Sequence, residues 1–107
     1  MDAPAAWRDL IERLLREHAR DPVSHGEIAL STVFDRAGDH YLLMAIGWDG
    51  FQRIHAPLPH LDLIDRRIWI QHDGTEEGIA TELLAAGVPR ERLVLAFKHP
   101  SRREVAA

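Results

Sequence analysis

The chain has 107 residues, with 13 basic and 17 acidic side chains, a net charge of −4 and no cysteine. That length gives one domain, residues 1–107, large enough to bury a single core without a metal or disulfide staple. The composition excludes a disulfide framework, a thiolate nucleophile and cysteine-ligated zinc. It also argues against direct nucleic-acid contact, which draws its affinity from an excess of Lys and Arg.

Residues 5–20 follow helical spacing. Trp7, Leu10, Ile11, Leu14, Leu15 and His18 form the apolar stripe, and Arg8, Asp9, Glu12, Arg13, Arg16 and Glu17 fill the other face. Glu12 with Arg16 and Asp9 with Arg13 have the favourable i, i+4 order. Pro4 suits the first turn, and Asp21-Pro22 ends the helix before a loop at Ser24-His25-Gly26. A charged helix, rather than a basic stretch and an apolar run, follows Met1, so no secretory signal is expected and the expected compartment is the cytoplasm. The uncharged stretch from Tyr41 to Trp48 is far too short to span a bilayer.

From Glu27 the period changes to two. Strand one runs to Asp35, strand two covers about His40 to Trp48, strand three starts at Phe51, and strand four is Arg67 to His72. Arg36-Ala37-Gly38-Asp39, Asp49-Gly50 and Asp65-Arg66 are the reversals between them, and Asp-Gly favours a tight hairpin. The apolar phase breaks between Ile54 and Leu61, where Pro57 and Pro59 lie, so a bulge or bend is expected near residues 57–60. Asp73 or Thr75 caps a second helix with Ile79, Ala80, Leu83 and Leu84 as its stripe, and Gly87 ends it. Val88 to Arg92 connects to a short buried strand, Leu93 to Phe97. The expected fold class is α+β: an N-terminal helix, a four-stranded antiparallel meander, a second helix and a short C-terminal strand.

With two-residue loops at Ala37-Gly38 and Asp49-Gly50, Phe34 faces Tyr41, and Ala45 faces both Leu30 and Ile54. One sheet face then holds Ile28, Leu30, Phe34, Tyr41, Leu43, Ala45 and Ile54. The other holds Val33, Leu42, Met44, Ile46, Trp48 and Phe51, diluted by Asp35, His40, Arg53 and His55. A wet face should read polar, so cover by helices or by another subunit is expected, and a homo-oligomer with it.

Three groupings can carry chemistry. His60 and Asp62 share a strand face, with His55, His72 and Asp73 nearby, which allows a His/Asp metal site or a hydrogen-bonded polar cluster where His60 faces Gln71 and Asp62 faces Trp69. Neither a nucleophile nor a glycine-rich loop accompanies them, so no catalytic residues are expected. Trp48 and Trp69 could stack a base, but fit better as core or interface anchors. Gly74 opens a helix, yet Glu76 and Glu77 would repel a phosphate. The arginine clusters Arg66-Arg67, Arg90 with Arg92, and Arg102-Arg103 would serve the alternative of direct DNA binding. No cofactor and no metal is expected.

Gly47-Trp48-Asp49-Gly50, Arg53-Ile54-His55 and His60-Leu61-Asp62 resemble the middle of the XisI family. Ile68-Trp69-Ile70-Gln71, Asp73-Gly74-Thr75-Glu76 and Gly78-Ile79-Ala80 form the most recognisable run, continued by Gly87-Val88-Pro89 and Leu93-Val94-Leu95-Ala96-Phe97. Family members are described as fdxN element excision controlling factors, auxiliary proteins in site-specific excision of a DNA element. They are commonly encoded beside XisH, which is similar to endonuclease-like proteins. The resemblance implies an α+β fold, a non-enzymatic regulatory role and an XisH-like partner, and supplies no site residues. The reading of the second sheet face and its surroundings gives Trp48, Arg53, His55, His60, Asp62 and Trp69 as the candidate interaction surface.

Overall fold

The computed structural model describes residues 4–20, 27–75 and 77–102. The expected stop at Asp21-Pro22, the loop at Ser24-His25-Gly26, Glu76 and Arg103 lie outside the described residues. Helix α1 spans Pro4–Ala19, and strands β1 (Glu27–Asp35), β2 (His40–Asp49), β3 (Gln52–Ile64) and β4 (Arg67–His72) follow. Helix α2 (Ile79–Ala85), a 3-10 turn at Arg90–Arg92 and strand β5 (Leu93–Leu95) come next, with a last 3-10 turn at Pro100–Arg102. The sheet order is β1-β2-β3-β4-β5, antiparallel except for the parallel β4–β5 pair. No described helix is long and apolar enough to cross a membrane.

The first hairpin keeps the expected register, with Phe34 opposite Tyr41 and Leu30 opposite Ala45, closed by a four-residue loop. The second slips by one position. Asp49 pairs with Gln52, so Gly50 and Phe51 form the turn, and Ala45 faces Ala56 instead of Ile54. Gly50 has φ 61°, a conformation that costs glycine little, and it takes the first central position of the turn. In the third hairpin Asp65 and Arg66 have φ 50° and 60°, the two positive values that a type I′ turn requires.

The expected bulge is present. Met44 pairs with Pro57 and Leu42 with His60, so Leu58 and Pro59 together oppose Leu43. The extra residue returns Leu61 to the face already used by Ile54 and Ala56, because Leu61 pairs with Tyr41 and Ala56 with Ala45. A second irregularity, at Gln71, sets His60 opposite His72 rather than opposite Gln71, while Asp62 faces Trp69 as expected.

The core lies on this first face. Trp7, Ile11, Leu14 and Leu15 of α1 and Ile79 and Leu83 of α2 pack with Tyr41, Leu43, Leu61, Ile68, Ile70, Leu93 and Leu95. Both helices therefore cover the same side of the sheet, so of the two covers expected for the second face, helices or another subunit, the described helices do not supply it. The first face carries the buried apolar residues Tyr41, Leu43 and Ala45 of β2, Leu61 of β3 and Ile68 and Ile70 of β4, and the helices pack on these.

Polar contacts fix α1 in place. Glu12, expected at the solvent face, is only 5% exposed, because Arg36 from the β1–β2 loop lies across it. Arg36 Nε and Nη2 donate to the two Glu12 oxygens at 2.7 and 3.1 Å, and Nη2 also reaches Asp9 at 2.7 Å. Asp9 is thus engaged across the fold rather than with the i+4 Arg13, whereas the Glu12–Arg16 pair forms at 3.4 Å. Arg8 donates to both oxygens of Asp39 at 2.6 and 3.0 Å, and the Tyr41 hydroxyl donates to Asp39 at 2.9 Å. The Arg8 hydrogen bond holds the Asp39 carboxyl below its ordinary range. Burial, then the bond to Asp39, pushes the Tyr41 phenol up to about 12.

Helix α2 begins later than expected, at Ile79 rather than near Thr75. Asp73 still caps it from a distance: its carboxylate accepts Thr75 N (3.0 Å), Thr75 Oγ1 (2.7 Å) and Ile79 N (2.9 Å). That one side chain thus ties Thr75 to the first residue of the helix. Asp73→Ala should cost about 1 kcal/mol, the usual worth of a cap, read as a lower urea midpoint with unchanged slope. At the other end Gly87 has φ 102°, as expected of a C′ glycine. Strand β5 stops at Leu95, and Phe97 is half exposed rather than part of the buried strand.

Candidate functional site

The second sheet face has a mixed apolar and polar make-up that follows from strand alternation. Leu42, Met44, Ile46 and Trp48 project from β2, and their β3 partners are His60, Pro57, His55 and Arg53. Ala29, Ser31 and Val33 face the same way from β1, and Trp69 does so from β4. Leu42, Met44 and Ile46 are half-buried by their own neighbours, while Val33 and Trp48 are 45% and 49% exposed. All six expected surface residues, Trp48, Arg53, His55, His60, Asp62 and Trp69, share this face. They fall into two groups at opposite ends of the β2–β3 pair, with His55 between.

At the hairpin end, Arg53 lies opposite Trp48 and its guanidinium carbon sits 5.2 Å from the indole ring centre. Arg53 also donates to the Gly47 carbonyl at 3.4 Å. This cation–π contact holds a half-exposed tryptophan in one orientation, as suits a contact anchor.

At the other end is a polar cluster. His40 Nδ1 lies 2.8 Å and His60 Nε2 2.9 Å from the same Asp62 oxygen, Oδ1. Gln71 Nε2 donates to the other oxygen, Oδ2, at 3.1 Å. Asp62 is 7% exposed, so its charge depends on these donors. His40, Asp62 and His60 are brought together by the register: Asp62 faces His40, and His60 stands two residues away on the same face.

His40 is the member that sequence spacing missed. Counted from a two-residue Asp49-Gly50 loop with no bulge, it would face Pro59. The turn slip and the bulge move it three places to Asp62. The expected bulge was the available signal, but its size is not readable from composition. His55 lies apart, opposite Ile46, roughly 15 Å along the strand from His60. His72 donates through Nδ1 to the Leu58 carbonyl at 2.7 Å, and Asp73 is committed to capping. His55, His72 and Asp73 therefore do not join His60 and Asp62.

The hydrogen bond to Asp62, then the charge of Asp62, raises the His40 pKa above its ordinary 6.5, with smaller help from Asp35 and Asp39. A folded state that holds a proton more tightly is stabilised below the unfolded pKa and loses that contribution as pH rises through the folded value. The Tm difference between the wild type and His40→Gln should therefore shrink as pH rises from below 6.5 into the mildly alkaline range. A difference independent of pH in melting curves would contradict this.

A family model described as "XisI protein" matches residues 1–107. A crystal structure of a XisI-like protein from Anabaena variabilis ATCC 29413 is similar with a TM-score of 0.85 and 35% identity, covering 92% of this chain and 91% of that one. The crystal structure of the fdxN element excision controlling factor XisI from the same organism gives a TM-score of 0.75 and 30% identity, covering 91% and 88%. No curated protein matches.

Proposed function

The chain belongs to the XisI family, and from that premise we propose that it is an accessory regulator of site-specific excision of a DNA element. It acts by contact with an XisH-like partner protein and performs no catalysis itself. The observation that carries this reading is the second sheet face: an apolar centre of Leu42, Met44 and Ile46 between the Trp48–Arg53 pair and the His40–Asp62–His60 cluster. Apolar centres with aromatic and arginine anchors and a polar rim are the usual make-up of a protein interface. The acidic balance of the chain favours a polypeptide partner over a polyphosphate. Self-association through the same face, giving the homo-oligomer, accounts for the apolar strip when the partner is absent, and light scattering of the protein alone reads it.

Co-expression with the product of an adjacent XisH-like gene tests the proposal. Co-elution of the two chains is expected, and the absence of a complex at micromolar concentration would overturn it.

A second reading, direct contact with DNA, draws on one feature. The parallel pairing of Ile68 with Leu93 brings Arg67 of β4 to the 3-10 turn that ends at Arg92, with the exposed Arg66 and Arg90 adjacent to them in the chain. If this corner contacts phosphates, a gel shift should weaken steeply with salt. No shift at low salt would remove this reading.

A further inference from the structure

We propose that His40, His60 and Asp62 form a binding site for a divalent transition-metal ion of the Zn2+ type, open on its solvent side.

The donor set is two imidazoles and one carboxylate, with ligand atoms that all lie within 4.8 Å of one another. Imidazole and carboxylate together suit Zn2+, Co2+ and Ni2+ rather than Ca2+ or Mg2+, which prefer oxygen alone. Two donors about 2.05 Å from one ion lie about 2.9 Å apart at a right angle and about 3.3 Å apart at the tetrahedral angle that Zn2+ favours. Asp62 Oδ1 stands 2.8 Å from His40 Nδ1 and 2.9 Å from His60 Nε2, so the carboxylate and either ring share an ion once these contacts open by up to about half an ångström.

The surroundings supply what a ligand carboxylate needs. Gln71 holds Oδ2, which turns Oδ1 toward the two rings. Metal ligands are commonly oriented by such an outer hydrogen bond. Asp62 is buried, whereas the His40 side chain is 54% exposed and that of His60 30%. An ion here would be reached from solvent, and its remaining positions would take water or a donor from a docked chain. Binding would also tie the first residue of β2 to β3 just past the bulge, where the ladder is interrupted.

In the metal-free arrangement each ring presents an N–H to Asp62. The ion takes the lone pairs of those same nitrogens, so the proton of each neutral ring moves to its other nitrogen, and any imidazolium present gives its extra proton to solvent. Metal and proton therefore compete, and acidification should release the ion.

Titration of the purified full chain with Co2+ alone, followed by visible absorption, and with Zn2+ alone, followed by calorimetry, tests this. One ion per chain is expected, with a rise in Tm on Zn2+ addition. His40→Gln leaves an exposed strand end intact and should abolish saturable binding. Gln71→Ala should weaken binding about tenfold, the usual effect of removing an orienting partner. His55→Ala, on the same face but away from the cluster, should bind as the wild type does. Absence of saturable binding to the wild type, or binding that survives in His40→Gln, would overturn the proposal. Neither result bears on contact with an XisH-like partner, which is read by co-elution.

Discussion

Gly47→Ala should destabilise the protein by about 3 kcal/mol, the upper part of the range for forcing atoms into a filled space. An alanine Cβ there would stand 1.9 Å from the Glu27 carbonyl oxygen and 2.8 Å from the Ile28 Cα. Both obstacles are backbone atoms of β1, so no side-chain rotation relieves the clash. The strand must move away from β2, and the pairs from Glu27–Trp48 inward are strained with it. Urea unfolding of the variant should give a much lower midpoint. Gly50→Ala supplies the contrast. Nothing lies within 4 Å of its added Cβ, and only the φ of 61° resists, at about 1 kcal/mol. Equal losses at the two positions would mean that backbone conformation, not close strand packing, governs Gly47.

Trp48→Ala, one residue on, should have the opposite profile. Its side chain points to the second face and is about half exposed, so the folded state loses little. Affinity for the XisH-like partner should fall by about 2 kcal/mol, roughly thirtyfold, as expected for an aromatic anchor beside the apolar centre of an interface. The Arg53 guanidinium across the ring pre-orients the indole, so Arg53→Ala should weaken binding less than Trp48→Ala does. Calorimetry with the purified partner measures both, and circular dichroism confirms that the variants fold. A Trp48→Ala protein that binds the partner as tightly as the wild type would remove this face from the proposed interaction.

These two neighbours also show how far the chain could be read without its fold. Strand alternation with the expected hairpin put Trp48 on the same face as Arg53 and His55 but opposite Phe51, and only the turn slip set it opposite Arg53. The helical stripe from Trp7 to Leu15 was legible directly. The need for glycine at 47 was not. It arises from the approach of a strand 20 residues earlier, and no local pattern records that contact. Glu12 is a similar case. Helical spacing puts it among charged residues, and only the arrival of Arg36 from the β1–β2 loop buries it.

The candidate metal cluster divides along the same line. His60 and Asp62 are two apart on one strand, so their shared face follows from backbone geometry. His40 reaches them through a one-residue turn slip and a one-residue bulge, and each shift moves its partner along β3. Local composition determined the order of helices and strands, the turns at residues 50 and 65–66, and the position of the bulge, because propensity and periodicity act over a few residues. Tertiary structure decided register, which face the helices occupy and which histidine meets Asp62. Those outcomes depend on the summed packing of residues far apart in the chain, where a single extra residue changes every pairing beyond it.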